Sequence, residues 1–344
     1  MMGGKFMSDS AELVHVLRGP MIEAIHKGDI AVVDAHGDLI AWCGSPRDKK
    51  AYWRSSAKPF QAVPIVESGA IDEFGLAENE LAQMCASHAG EDIHVSTVRG
   101  ILAKIGLDES YLQCGIHYPS HMPTQLRMIK EGIPATEVHC NCSGKHSGML
   151  ALSQMIDADP RTYTELSHPV QQRDLASVVD FTGVAQDEII IGIDGCGVPV
   201  HGLSVYAMAR AWARLADPRE MSPSRRNAAT RVREAMMHNP YLIAGEGRNC
   251  TLLMQALPER LVAKSGADAV YCFGLPEKGW GVAMKIADGG SRAVSTAVVN
   301  TLRQLGLFTD SELQPLSHLE STTLYNHRHD MVGKVQPVFK LEWA

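Results

Sequence analysis

The chain has 344 residues, 45% of them apolar and 21% charged, and a net charge of −7 at pH 7. That profile fits a globular enzyme with a sizeable core and excludes a disordered chain. An acidic balance with no Lys/Arg-rich block argues against nucleic acid and against a membrane surface as partners. Met1 to Ser10 hold no apolar signal-peptide core, and the longest apolar stretches are broken by Gly, His and Asp, so a cytoplasmic location is expected. The eight cysteines are scattered, which suits a reduced compartment better than a disulfide framework.

In chain order, residues 30–43 read as a hairpin turning at His36-Gly37-Asp38. A basic loop (46–50) leads to a helix starting near Ser55, which tolerates Pro59 in its first turn and should be distorted by Pro64. Residues 78–87 and 91–105 read as helices, and the Gly-, Pro-, His- and Cys-rich block 115–150 as loops around a site. Helical spacing returns at 168–181, a short strand at 188–193, and helices at 203–215 and 224–237. Residues 260–263, 268–274 and 281–287 alternate as three strands of an antiparallel meander, followed by a helix at 292–305 and a last strand at 335–343. Strands at both ends and helices between predict an α/β (α+β) fold, with one antiparallel sheet built from both termini and an inserted helical region. The chain reads as one unit over 1–344, with a sheet subdomain from about 12–50 and 258–344 and a helical, active-site subdomain at about 51–257.

Ser55-Ser56-Ala57-Lys58 carries the first chemical signal. With Ser55 at a helix start, Lys58 lies one turn on, on the same face, where its amine can take the hydroxyl proton. The same spacing also suits an N-cap serine and a solvated lysine. Far downstream, Lys264-Ser265-Gly266 ends an apolar run. The two together resemble the Ser-x-x-Lys and Lys-[Ser/Thr]-Gly motifs of penicillin-binding proteins and serine β-lactamases, whose fold has the sheet and helical insertion expected here. Ser87 reads either as part of a helix exit or as a second hydroxyl facing Ser55, completing a nucleophile and a proton relay. Two nearby ammonium groups depress each other's pKa, which helps one lysine act as base. Arg54 is a surface charge or a carboxylate clamp, and Asp194 caps a turn or receives a substrate ammonium. The cluster from His139 to His146, with Cys196, suits zinc through its thiolates and imidazoles, or is a tight glycine turn with buried thiols. The glycines of 244–251 follow no strand and lack Gly-Lys-[Ser/Thr], so they read as a loop capping the next helix rather than a phosphate loop.

Taken together, Arg-Ser-Ser-Ala-Lys-Pro (54–59), Cys-Ala-Ser-His (85–88), Asn-Cys-Ser-Gly-Lys-His (141–146), Asp-Gly-Cys-Gly-Val-Pro (194–199), Ala-Gly-Glu-Gly-Arg-Asn-Cys-Thr (244–251) and Lys-Ser-Gly-Ala-Asp (264–268) resemble the rhizobial-type, or class 3, L-asparaginases of the asparaginase II sequence family. The resemblance runs from about residue 12 to the C-terminus. It implies a serine β-lactamase/glutaminase-like fold, a homodimer, and hydrolysis of L-asparagine to L-aspartate and ammonia. It implies Ser55 as nucleophile paired with Lys58, a second pair Ser87–Lys264, and zinc held by Cys142, Lys145, Cys196 and water. Asp194 falls near the substrate. A lysine ligand has to be neutral, which demands a large pKa depression. His139 departs from the family pattern, and its role stays open. Competing chemistries are a glutaminase of the same fold, a zinc-dependent amidohydrolase with metal-activated water, and a penicillin-interacting or metal-storing protein without amidase activity.

Overall fold

The computed structural model describes residues 10–344. In chain order the strands are β1 (Ala11–Arg18), β2 (Met21–Asp34), β3 (Leu39–Cys43), β4 (Lys50–Tyr52), β5 (Ile190–Ile193), β6 (Pro199–Ser204), β7 (Val262–Gly266), β8 (Val270–Leu275), β9 (Trp280–Ile286), β10 (Thr322–Tyr325), β11 (Met331–Pro337) and β12 (Glu342–Trp343). Nine form one sheet in the order β10-β11-β1-β2-β9-β8-β7, with β3 beside the second half of β2 and β12 beside β3. All its pairings are antiparallel. Every residue of β8 is buried, as a strand covered on both faces requires. The helices Val205–Ala216 and Val294–Leu305 both pack on this sheet.

The expected hairpin is present, with Ile30 opposite Cys43. Its turn is held by Asp34 Oδ1, which accepts the N–H groups of Gly37 and Asp38, each at 2.9 Å. The 262–286 meander is also as expected. The sequence did not announce the β1–β2 hairpin, because Met21, Ile22 and Ile25 are exposed and show no hidden face to alternate against. The single last strand expected at 335–343 is broken: β11 ends at Pro337, which has no N–H to donate, and β12 pairs elsewhere, with β3. β4, β6 and β5 make a separate three-stranded sheet, so the helix expected from 203 begins only at Val205. The loops expected over 115–150 contain two helices, Met122–Glu131 and Ser143–Met155. In the second, Ser143, Lys145, His146 and Ser147 are all buried, so polar residues occupy positions where an apolar stripe would have shown.

The helix Lys58–Glu67 is the hub of the inserted region, buried from Lys58 to Val66. It runs through Pro64 without breaking. Pro64 cannot donate to the carbonyl of Phe60, one turn back. Ser177 Oγ donates to that carbonyl instead, at 2.7 Å, from the helix Pro169–Thr182. Phe60 packs its ring 4.6 Å from Trp53, 5.0 Å from Phe181 and 5.8 Å from Trp212. Among the described residues no helix is long and apolar enough to cross a membrane. Ser177→Ala leaves the Phe60 carbonyl buried and unpaired, and is expected to lower stability by about 1–3 kcal/mol in urea unfolding.

Candidate active site

Ser55 lies in a 3-10 turn, Arg54–Ala57, that runs directly into the Lys58–Glu67 helix, and it is partly exposed. Arg54 has a φ of 54°, a left-handed conformation that costs a non-glycine residue about 1–3 kcal/mol. The turn is held from several sides. Trp53 N–H donates to the His201 carbonyl at 2.8 Å, and Ser56 Oγ to the Trp53 carbonyl at 2.7 Å. The Arg54 guanidinium meets Asp194 at 2.9 Å and also pairs with Asp268. Gly266, the last residue of β7, lies so close that a Cβ there would stand 2.9 Å from the Trp53 carbonyl oxygen and 3.3 Å from Arg54 Cβ. The glycine of Lys-Ser-Gly therefore lets the strand close on the Ser55 turn.

Lys58 is 1% exposed, and the hydrogen bonds of its amine go to groups other than Ser55. It donates to Ser87 Oγ at 2.9 Å and to the Ala86 carbonyl, and reaches the Asn141 carbonyl at 3.4 Å and Cys142 Sγ at 3.3 Å. Among the described residues no hydrogen bond joins Ser55 to Lys58 or Ser87 to Lys264, so the hydrogen-bonded pair is Lys58 with Ser87. The loop bearing Ser87 is tied down through His88. His88 Nδ1 accepts from Gly90 N–H, and Ser143 Oγ donates to the Val138 carbonyl, so His88 Nε2–H donates to Ser143 at 2.9 Å. Burial keeps that imidazole neutral, with its pKa well below the usual range.

Cys142, Lys145 and Cys196 come together. Lys145 Nζ donates to Cys196 Sγ at 3.0 Å, and Lys58 Nζ donates to Cys142 Sγ at 3.3 Å. Lys145 reaches this point because the Ser143–Met155 helix abuts Gln83: a Cβ on Gly144 would lie 2.1 Å from the Gln83 carbonyl oxygen. The neighbouring Cys140 and Cys196 thiols pull the Cys142 pKa well below the ordinary thiol range against the effect of burial, with Lys58 and Lys145 assisting. Burial works against the Lys145 ammonium, but the Cys196 and Cys142 sulfurs outweigh it and hold the amine above the ordinary lysine range. Among the described residues no three His, Cys, Asp or Glu side chains gather as a metal site. The converging set here is two sulfurs and an amine, a soft donor set that suits zinc once the amine loses its proton.

The sequence model of L-asparaginase II matches residues 14–337. The chain belongs to the L-asparaginase II family. It is therefore an amidohydrolase of the asparaginase type, with a small-molecule amide as substrate. No curated protein matches it. A solved structure described as a "putative beta-lactamase", from Bacteroides dorei DSM 17855, aligns at 12% identity with a TM-score of 0.40, over 80% of this chain and 93% of that one.

In this asparaginase the second lysine, Lys264, is fully buried on β7 and donates to the Ser265 carbonyl at 2.9 Å. Burial pushes its pKa down to about 7; the nearby charges of Cys250, which raises it, and Lys58, which lowers it, act less strongly. A cavity of about 420 Å³ runs beside β7, lined in part by Arg248, Asn249, Ser265, Gly266 and Asp268, and it meets the Ser55 turn where Gly266 and Asp268 touch Arg54. Sequence reasoning missed the Arg54–Asp268 pair, although Asp268 ends the Lys-Ser-Gly-Ala-Asp motif. It also missed the Asn141 carbonyl, for which a backbone acceptor leaves no sequence signal. His139 takes a capping role: its Nδ1 accepts from Thr136 N–H at 3.0 Å at the turn Glu137–His139. In an NMR titration of lysines labelled at the ε-carbon, one signal is expected to titrate near pH 7, and Lys264→Met is expected to remove it. All lysines titrating near 10.5 would contradict the lowering of the Lys264 pKa by burial.

Proposed function

We propose that this asparaginase hydrolyses L-asparagine by acyl transfer to Ser55. The observation that carries the reading is a partly exposed serine in a turn on which the Lys264 strand closes at Gly266, with burial lowering the pKa of that lysine to about 7. Ser55 Oγ attacks the side-chain amide carbon. Its proton passes to the free amine of Lys264, with Ser87 and Lys58 as the relay, and from there to the amide nitrogen, which leaves as ammonia. Water then attacks the Ser55 ester, giving its proton to the same base, which returns it to Ser55 Oγ as the ester C–O bond breaks and L-aspartate is released. Arg54 with Asp194 and Asp268 sets one guanidinium against two carboxylates, an excess of negative charge that suits the substrate's α-ammonium better than its carboxylate. Cys142, Lys145 and Cys196 would hold zinc, which supplies, when bound, a Lewis-acidic centre able to orient a substrate oxygen or water. The protein is also proposed to be a cytoplasmic homodimer. The exposed Met122, Leu126 and Ile129, on one face of the Met122–Glu131 helix, offer apolar surface for a second copy.

Ser55→Ala is expected to lower ammonia release from L-asparagine by several orders of magnitude in a folded protein, because the covalent route is lost. Near-normal turnover would overturn the reading in favour of direct attack by metal-activated water. L-Asparagine is expected to exceed L-glutamine in kcat/KM, since one more methylene displaces the carbonyl from a nucleophile fixed in a strained turn. Equal values, or a preference for glutamine, would make the protein a glutaminase.

A further inference from the structure

Asp174 lies on the helix Pro169–Thr182, 1% exposed, and neither carboxylate oxygen has a hydrogen-bond partner. Burying a carboxylate unpaired is costly, and native proteins rarely do it without a reason. Its position suggests the reason. Gln171 Nε2 lies 3.5 Å from Met149 Sδ, which fixes how this helix faces the Ser143–Met155 helix. One turn on from Gln171 is Asp174. One turn back from Met149 are Lys145 and His146, and His146 Nε2 is also buried without a partner. Burial raises the Asp174 pKa well above the usual carboxylate range, and the charge of Lys145 opposes that rise.

A lysine amine that binds a metal uses its lone pair on the ion and keeps two N–H groups. Both are buried here, and each needs an acceptor. The present partner of Lys145 Nζ is Cys196 Sγ, itself one of the sulfurs assigned to zinc. Asp174 is a buried acceptor on the facing helix with no other commitment. We propose that Asp174 is a positioning residue for the metal site, its carboxylate receiving an N–H of the neutral Lys145 amine, directly or through one water, and so aiming the lone pair at zinc. This rests on the reading of Cys142, Lys145 and Cys196 as the zinc ligands. It assigns Asp174 the role that outer carboxylates play behind metal-bound histidines.

The test uses the full-length protein, with zinc affinity measured by competition against a chromogenic chelator and the melting temperature measured on metal-free samples. Asp174→Leu is expected to weaken zinc binding about 10- to 100-fold. The metal-free variant is expected to melt at or above the wild-type temperature, because an unpaired buried carboxylate has gone. Asp174→Asn, which keeps the shape and one acceptor oxygen, is expected to lose less affinity, and it decides the matter if the leucine variant does not fold. Wild-type zinc affinity in the folded variants would overturn the proposal while leaving the ligand assignment intact. A loss of metal-free stability matching the loss of zinc binding would also overturn it, as the mark of a merely structural role. Wild-type protein that binds no zinc would overturn the ligand assignment, and this inference with it.

Discussion

Lys58 carries an amine into a place without water, and that constraint organises the site. Removing an ammonium from solvent costs several kcal/mol unless its N–H groups find acceptors. Lys58 finds them on two separate loops: the Ala86 carbonyl and Ser87 Oγ on one, and the Asn141 carbonyl and Cys142 Sγ on the other. The helix bearing Lys58 is thereby tied to the serine loop and to the sulfur cluster at once. Breaking the arrangement would strand a buried charge, so the three segments hold one another in register.

Beneath this polar layer the chain provides a rigid floor. Trp53, Phe60, Phe181 and Trp212 pack ring on ring below the Ser55 turn, and the Lys58–Glu67 helix is buried almost throughout. Against that floor Arg54 can be kept at a left-handed φ, its side chain clamped by Asp194 and Asp268. Packing below and ion pairs above fix where the Ser55 hydroxyl sits. Lys264, across the gap on β7, is buried deeply enough to release its proton near neutral pH. One site thus holds two lysines in different settings, one wrapped in acceptors and one with little beyond a neighbouring backbone carbonyl.

Much of this was legible in the sequence where local rules and tertiary structure agree. The meander of β7 to β9 alternates as strands should, and the Gly37 turn has the residues such a turn needs. The Ser-x-x-Lys and Lys-Ser-Gly motifs were visible as spacing. What the spacing could not say is which lysine meets which serine, because that depends on loops 86–87 and 141–142 folding over the helix. The Ser143–Met155 helix was hidden for a related reason: its buried face carries Ser143, Lys145, His146 and Ser147, and the first three bond to His88, Cys196 and Tyr163, residues distant in sequence. At Pro64 the donor that replaces the missing N–H is Ser177, more than a hundred residues away, which no local rule reveals.

The central claim is a covalent intermediate on Ser55, made possible by a neutral lysine nearby. Its most direct test is rapid acid quenching of the enzyme during turnover of L-asparagine, followed by peptide mapping by mass spectrometry. The account predicts an aspartyl ester on the peptide containing Ser55, absent from the Ser55→Ala protein. An aspartyl ester on Ser87, or steady turnover with no acylated serine at any quench time, would contradict it.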